Sequence, residues 1–286
     1  MFSGWLVYNQ HDAIRNHDYI EWMKRESSNI GMNLNLVYRH QIRIGIRQGE
    51  LLVDGPCTKP DFAIVRIVEP ILTEQLELTG VPVFNNSHVA RLCNDKALTH
   101  QYLAGKGIPM LDAVFFNTAT VNTEALDYPF VAKIASGRGG KQVHFISNTT
   151  GLTDFLQKYP DKDALLQRVG PIIGKDVRVF VVGNSIIAAV LRSSRTDFRA
   201  NYSLGGSAEI FHLNVEQKLL VQRVISEFGF GLVGIDFLLD NDGKFYMNEI
   251  EDVVGSRTLS SLNTRVNLVR EYLEHIKQKI SGVGGQ

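Results

Sequence analysis

The stretch that decides the fold runs Gly234-Ile235-Asp236-Phe237-Leu238-Leu239, then the turn residues Asn241-Asp242-Gly243, then Tyr246-Met247-Asn248-Glu249-Ile250-Glu251-Asp252. Two apolar runs flank an Asn-Asp-Gly turn, which is the pattern of a β-hairpin. A two-residue turn at Asp242-Gly243 sets Asp236 opposite Glu249. A four-residue loop over Asn241–Lys244 gives the same register, and a bulged three-residue loop shifts it by one. Side chains alternate along a strand, so Glu249 and Glu251 share a face. Three carboxylates then converge on one side of a mostly apolar hairpin. Like charges set opposite each other destabilise a sheet, so this density of oxygen ligands calls for a cation. Carboxylates alone point to a hard ion, Mg2+ bridging to substrate phosphates, with Mn2+ as a substitute.

Upstream lie groups suited to the phosphates. Lys133 sits in the apolar strand Phe130-Val131-Ala132-Lys133-Ile134, where it either snorkels to the surface or is aimed at an anion. The loop Ser136-Gly137-Arg138-Gly139-Gly140-Lys141 follows, and its glycines let backbone N–H groups approach phosphate oxygens closely. The loop lacks the Walker A spacing, and the strand after it, where a helix would be needed, excludes a dinucleotide fingerprint. Asp176 and Arg178 share one face of a strand whose other face carries Val177, Val179 and Val181. A long polar loop, 193–206, is unusual in a compact domain unless it serves a function, and its arginines suit carboxylate or phosphate recognition.

Outward from this centre the chain changes character. Over the first ninety or so residues strands alternate with helices. Trp5–Tyr8, Leu34–Tyr38, Phe62–Val68 and Val81–Phe84 read as strands, and a helix carrying Tyr19, Trp22, Met23 and Ile30 closes at Gly31. That alternation predicts a small α/β domain with a parallel sheet. Ser87–Ala104 reads as one helix. Hairpins follow from Phe130 onward, including Val177–Val182 with Ile186–Leu191 around Gly183-Asn184. Asn214-Val215-Glu216-Gln217 reads as a capping box opening a helix to Phe228, and Asn267–Ile280 as a final amphipathic helix. No internal repeat or low-complexity block is visible.

Composition narrows the function. The 286 residues carry 30 Lys+Arg against 30 Asp+Glu, which excludes a generally basic nucleic-acid binder. Two cysteines, Cys57 and Cys93, make neither a disulfide framework nor a Cys-rich zinc site. No apolar run approaches the ~18–20 residues that span a bilayer, and the first residues lack the pattern of a signal peptide. A soluble, cytoplasmic protein with no nucleic-acid or membrane partner is the expectation. The eight histidines show no metal spacing, and Tyr8, Tyr19 and Tyr38 read as packing.

Taken in order, these motifs resemble the ATP-grasp ligases, and within them the RimK-like α-L-glutamate ligases. The resemblance rests on Asn94-Asp95-Lys96, Val131-Ala132-Lys133 with the glycine-rich loop, Gly174-Lys175-Asp176-Val177-Arg178, Asp197-Phe198-Arg199-Ala200-Asn201 with Gly205-Gly206, Gly234-Ile235-Asp236 and Asn248-Glu249-Ile250-Glu251. It runs from about Asp61 to the last helix. It implies an α/β (α+β) fold with an N-terminal pre-ATP-grasp domain (1–90), a central lobe with a glycine-rich flap (91–166), a C-terminal lobe with the metal site (167–280) and a tail (281–286). Carried over by position, it sets Lys96 and Lys133 on the ATP phosphates under a flap made by Ser136, Gly137, Gly139 and Gly140. Gln167, Arg168 and Val169 fall at the adenine hinge, Asp176 on the ribose side, and Arg178 near the acyl phosphate. Arg199 and Asn201 complete the ATP site, and Asp236, Glu249 and Glu251 bind Mg2+. Two departures stand out. Arg168 replaces an acidic hinge residue, and Glu251, followed by Asp252-Val253-Val254-Gly255-Ser256-Arg257, replaces an asparagine and the Ala-Ser-Pro-Gly after it.

The activity implied is ATP-dependent carboxylate–amine ligation through an acyl phosphate, releasing ADP and phosphate. The substrates implied are a small-molecule or peptide carboxylate and an amine or amino acid, glutamate among the candidates. Arg178, Arg199 and Lys133 are the implied catalytic residues. Arg66 and Arg257 are candidates for gripping substrate carboxylates, with a structural ion pair the equal alternative for Arg66. The rival readings are a phosphotransferase on the same fold and a nucleotide-binding regulatory protein without turnover. A homo-oligomer fits the family.

Overall fold

The computed structural model describes residues 1–121, 127–200, 206–262 and 264–283. The chain opens with β1 (Phe2–Tyr8), helices α1 (Gln10–Arg15) and α2 (His17–Asn29), and β2 (Met32–Tyr38). A small hairpin, β3 (Arg43–Arg47) and β4 (Glu50–Asp54), precedes β5 (Phe62–Val65), α3 (Pro70–Leu78) and β6 (Val83–Phe84). Gly31, at φ 74°, ends α2 in the left-handed region that glycine enters without strain.

The expected parallel sheet is present, in the order β2-β1-β5-β6. It is buried on both faces, as parallel sheets are. One face packs Trp5, Val7 and Val65 against Leu72 and Leu76 of α3. The other sets Leu6, Tyr8 and Ile64 in one core with Tyr272 and Leu273 of the C-terminal helix and with Phe180 and Leu232 of the C-terminal sheet. This shared core joins the parallel sheet to the C-terminal part of the chain.

Ser87–Ala104, expected as one helix, is two: α4 (Ser87–Leu92) and α5 (Lys96–Gly105). Asp95 breaks the run by capping α5, its Oδ1 accepting from Leu98 N at 2.9 Å. An N-cap residue sits outside helical dihedrals, so the chain turns there, and Lys96 becomes the first residue of a new helix.

The middle of the chain forms an antiparallel sheet in the order β7-β10-β8-β9, from β7 (Ala113–Asn117), β8 (Phe130–Ile134), β9 (Val143–Ile146) and β10 (Asp163–Arg168). Helix α6 (Thr149–Lys158) packs on it through Leu152 and Phe155. The C-terminal sheet, β13-β12-β11-β14-β15, is also antiparallel. Its strands are β11 (Lys175–Val182), β12 (Ser185–Ser193), β13 (Ser207–Ile210), β14 (Leu232–Leu239) and β15 (Phe245–Glu251). Helices α7 (Val215–Ile225), α8 (Arg257–Ser260) and α9 (Leu268–Val283) complete the fold. The capping box forms as read, Asn214 Oδ1 accepting from Gln217 N and Gln217 Oε1 from Asn214 N.

Candidate active site

The decisive hairpin reaches the expected register by a different route. Its loop is the bulged three-residue form. Asp240 pairs with Lys244, with Gly243 at φ 79°, and Leu239 lies opposite Phe245. Alone, that loop would displace Asp236 from Glu249 by one residue. An irregularity beside Asp236 restores the pairing. Phe237 faces Met247, Asp236 faces Glu249, and Asn248 is the extra residue. A bulge re-aims side chains, and here it turns Asn248 toward Lys133, whose Nζ donates to Asn248 Oδ1 at 2.8 Å and to Gln167 Oε1 at 2.6 Å.

Protein cations meet the hairpin carboxylates: Asp236 and Glu251 share Arg178, while Glu249 pairs with Lys96. Arg178 Nε and Nη2 donate to Asp236 Oδ1 and Oδ2, both at 2.7 Å, and its Nη1 pairs with Glu251. Arg192 Nε and Nη2 donate to the two oxygens of Asp176 at 2.6 Å, and Nη2 reaches Asp236 Oδ2 at 2.8 Å. Lys96 Nζ lies 3.0 Å from Glu249 Oε1 and 2.5 Å from the carbonyl of Gly137 in the glycine-rich loop. Arg199 is held by Asp197 and donates from Nη1 to Gly140 O at 2.6 Å. Arg138 donates to Asn94 Oδ1 at 3.1 Å. Side chains at the start of α5 and in the segment after β12 therefore hold the glycine-rich loop.

Burial sets the protonation of this cluster. It pushes Lys133 down to about 8, against the pull of Glu249. It pushes Asp176 up to about 6, against Arg192. Burial also raises the Asp236 carboxyl, but Arg178 and Arg192 outweigh it and hold the group below the usual carboxylate range.

The other residues named from sequence distribute as follows. Gln167 is buried beside Lys133, whereas Arg168 is exposed, 3.7 Å from Asp112. Val169 is half-buried and Ser136 exposed. Asp176, implied on the ribose side, directs both oxygens at Arg192. Arg257 is exposed at the start of α8 and, among the described residues, takes part in none of the cluster's ion pairs. Asn201 lies outside the described residues.

Sequence reasoning missed Arg192, His100 and Asp252. A hairpin counted from Gly183-Asn184 pairs Asp176 with residue 191. A bulge past Phe180 slides the register and brings Arg192 opposite. Buried His100 donates from Nε2 to Asn248 O at 2.8 Å, and burial, helped by Lys133, pushes it down to about 4. It is neutral at pH 7 and holds the bulge in place. Asp252 is held by Asn85 at 2.7 Å and Asn94 at 2.8 Å, tying β15 to the segment that leads into α5.

A family model for the RimK-like ATP-grasp domain matches residues 93–276, which spans Lys96, Lys133 and all three carboxylates. The chain belongs to this family. Among curated relatives, beta-citrylglutamate synthase B of Danio rerio is 32% identical over 74% of this chain and 56% of its own length. N-acetylaspartylglutamate synthase A of Mus musculus is 31% identical over 88% of this chain and 72% of its own. The chain thus spans little more than half of the first of these relatives. A solved ATP-grasp ligase, PsnB, complexed with a phosphomimetic variant of a minimal precursor, Mg and ADP, superposes with a TM-score of 0.69. It is 14% identical, with 96% of this chain and 99% of that one covered, so the likeness is one of fold.

The donors on the hairpin fit the metal that the family implies. Asp236, Glu249 and Glu251 offer only oxygens, the set that Mg2+ prefers. Glu249 and Glu251 are about one-third exposed, at 34% and 37% of their side-chain surface, so an ion can reach them. Among the described residues, no three acidic, histidine or cysteine side chains stand close enough to enclose an ion. Arg178 and Lys96 occupy the carboxylates, so metal binding requires those cations to give up contacts.

Proposed function

We propose that the chain is an ATP-dependent carboxylate–amine ligase of the acyl-phosphate type. The observation that carries this reading is Lys96, whose ammonium touches both the flap carbonyl of Gly137 and Glu249 of the carboxylate hairpin. One side chain thus joins a phosphate-type loop to a metal-type carboxylate. The nucleotide enters between residues 91–166 and 167–280, its phosphates meeting Lys96, Lys133 and the 136–141 loop, its base the hinge at Gln167–Val169. Mg2+, or Mn2+ on the same donors, would be held by Asp236, Glu249 and Glu251, and would neutralise charge on the transferring phosphoryl group.

In the first step a substrate carboxylate oxygen attacks the γ-phosphorus and the bond to ADP breaks. In the second an amine nitrogen attacks the acyl carbon, phosphate leaves, and the amine loses a proton to give the amide. Arg178 lies beside the carboxylate cluster and is positioned to steady charge on the acyl phosphate. Arg199 reinforces the flap at Gly140, and a closed flap excludes the water that would hydrolyse the acyl phosphate.

The relatives named for glutamate products make glutamate the first amine to try, with N-acetylaspartate and citrate as first acids. The test is ATP consumption with Mg2+ across acid and amine pairs, resolving ADP from AMP. ADP and phosphate appearing only with particular pairs, together with an amide product, is the expected result. AMP overturns the acyl-phosphate route, and a stable phosphoester in place of an amide identifies a phosphotransferase. Among the described residues no helix is long and apolar enough to cross a membrane.

A further inference from the structure

A second cationic centre stands apart from the charge cluster, at the carboxyl edge of the parallel sheet. The order β2-β1-β5-β6 sends the chain from β1 to one side and from β5 to the other. The crevice between the ends of β1 and β5 is therefore the topological switch point, where open parallel sheets take up ligands. Tyr8 ends β1, and Arg66 follows the last residue of β5, its N bonded to Val7 O at 2.9 Å. The Arg66 guanidinium lies over the ring of Tyr19, 5.3 Å from its centroid. Its Nε donates to Tyr8 Oη at 3.3 Å and its Nη2 to Val254 O at 2.9 Å.

Two groups of this crevice stand unsatisfied. Among the described residues Arg66 forms no ion pair, and its Nη1 has no hydrogen-bond acceptor; the groups acting on it are the tyrosines Tyr8, Tyr19 and Tyr272. The Tyr19 hydroxyl is buried with no partner among those residues. The acid whose charge reaches Arg66 is Asp252, and its two oxygens are held by Asn85 and Asn94. The half-buried guanidinium keeps one nitrogen without an acceptor, and a buried hydroxyl without a partner carries a desolvation penalty. One carboxylate would relieve both, accepting from Nη1 and from Tyr19 Oη.

The crevice also adjoins the cluster. Val254, whose carbonyl takes Arg66, lies against Gly234. A Cβ at Gly234 would meet Val254 Cγ2 at 2.9 Å and Arg178 Cδ at 3.2 Å. Arg66 is therefore one side chain removed from Arg178, which grips Asp236 and Glu251. An acid bound at Arg66 is a different acid from the one reacting at the carboxylate hairpin.

We propose that Arg66 and Tyr19 form a subsite for a non-reacting carboxylate of one substrate, so that at least one substrate carries an acid group besides the reacting one. This inference rests on the ligase reading for the word substrate, and its test does not require turnover. Citrate, L-glutamate and N-acetyl-L-aspartate are titrated by calorimetry into the Mg–ADP-loaded protein, with Arg66→Met, Arg66→Lys and Tyr19→Phe compared with the parent chain. At least one of these acids binds the parent. Tyr19→Phe weakens that acid about fivefold, leaves ADP affinity unchanged and does not lower the melting temperature, because the lost hydroxyl has no partner to abandon and its removal relieves a buried unpaired group. Arg66→Met weakens it at least ~tenfold and Arg66→Lys restores part of the loss. No binding of any of the three acids to the parent overturns the proposal. So does unchanged acid affinity in Tyr19→Phe, or loss of ADP binding together with acid binding in Arg66→Met. Acid binding that follows these variants without amide formation removes the ligase reading and leaves the subsite. Amide formation with an unchanged acid KM in Tyr19→Phe does the reverse.

Discussion

On the β11–β14–β15 face, Arg178, Arg192 and Lys96 meet Asp176, Asp236, Glu249 and Glu251, and each of these seven has an opposite partner in direct contact, while Lys133 beside them bonds the amides of Gln167 and Asn248. At the parallel-sheet crevice, Arg66 is ringed by Tyr8 and Tyr19 and has no anion among the described residues. Both regions hold cations beside the core, yet they manage them in opposite ways. The first is closed on itself, so removing a member strands the others. The second is open, so removing its polar groups should change what binds more than how well the chain folds.

The strongest test of that contrast is Arg192→Met. It leaves Asp176 and Asp236 buried, with Asp176 stripped of its bidentate partner, and should cost ~3–5 kcal/mol in urea unfolding. Arg66→Met should cost clearly less. Equal losses at the two sites would break the distinction between a closed and an open centre. Next in size is Glu249→Gln. It keeps the shape of the side chain and removes a charge at the hairpin, so Mg2+-dependent ADP formation should fall at least ~100-fold while the fold is retained. Full activity in this variant would remove the hairpin as the metal site. Smaller again is Asn94→Ala, which frees one oxygen of Asp252 and releases Arg138 of the flap. Stability should fall by ~1–2 kcal/mol, and denaturant unfolding reads the change directly.

The closed centre was the more legible of the two in the sequence. Alternation placed Asp176 with Arg178 and Glu249 with Glu251, because a period of two needs no knowledge of the rest of the fold. The Asp236–Glu249 register also came out as counted, although the loop shift and the Asn248 bulge cancel and neither shows in the residue pattern. Arg192 stayed hidden for the same kind of reason, since a bulge in β11–β12 moves it by the one residue that counting cannot supply. The break between α4 and α5 turned on Asp95, whose capping role shows only once its side chain is seen to accept from Leu98 N. At the open centre the position of Arg66 in an apolar strand was visible, but Tyr19 looked like packing. Only the tertiary fold brings α2 over the end of β5, and only there does the unpaired hydroxyl become apparent.

Lys133 offers the finest probe of how tightly the closed centre holds its charges. The residue is buried, and burial pushes its ammonium down to about 8, with Glu249 opposing and Lys96 adding to the push. In the unfolded chain a lysine titrates near ~10.4. Below about 8 both states carry the proton, and the cost of burying the charge is constant. Between about 8 and ~10.4 the unfolded chain binds the proton more than the folded one does, so stability rises with pH by up to ~1.4 kcal/mol per unit. The expected observation is a gap between parent and Lys133→Met that shifts in the parent's favour from about pH 8 to about pH 10 in urea titrations. Bound nucleotide should cancel the rise, because phosphates beside the ammonium keep it charged in the folded state. A rise that persists unchanged with Mg–ADP present would mean that Lys133 does not face the phosphates, and would leave Lys96 as the lysine that meets them.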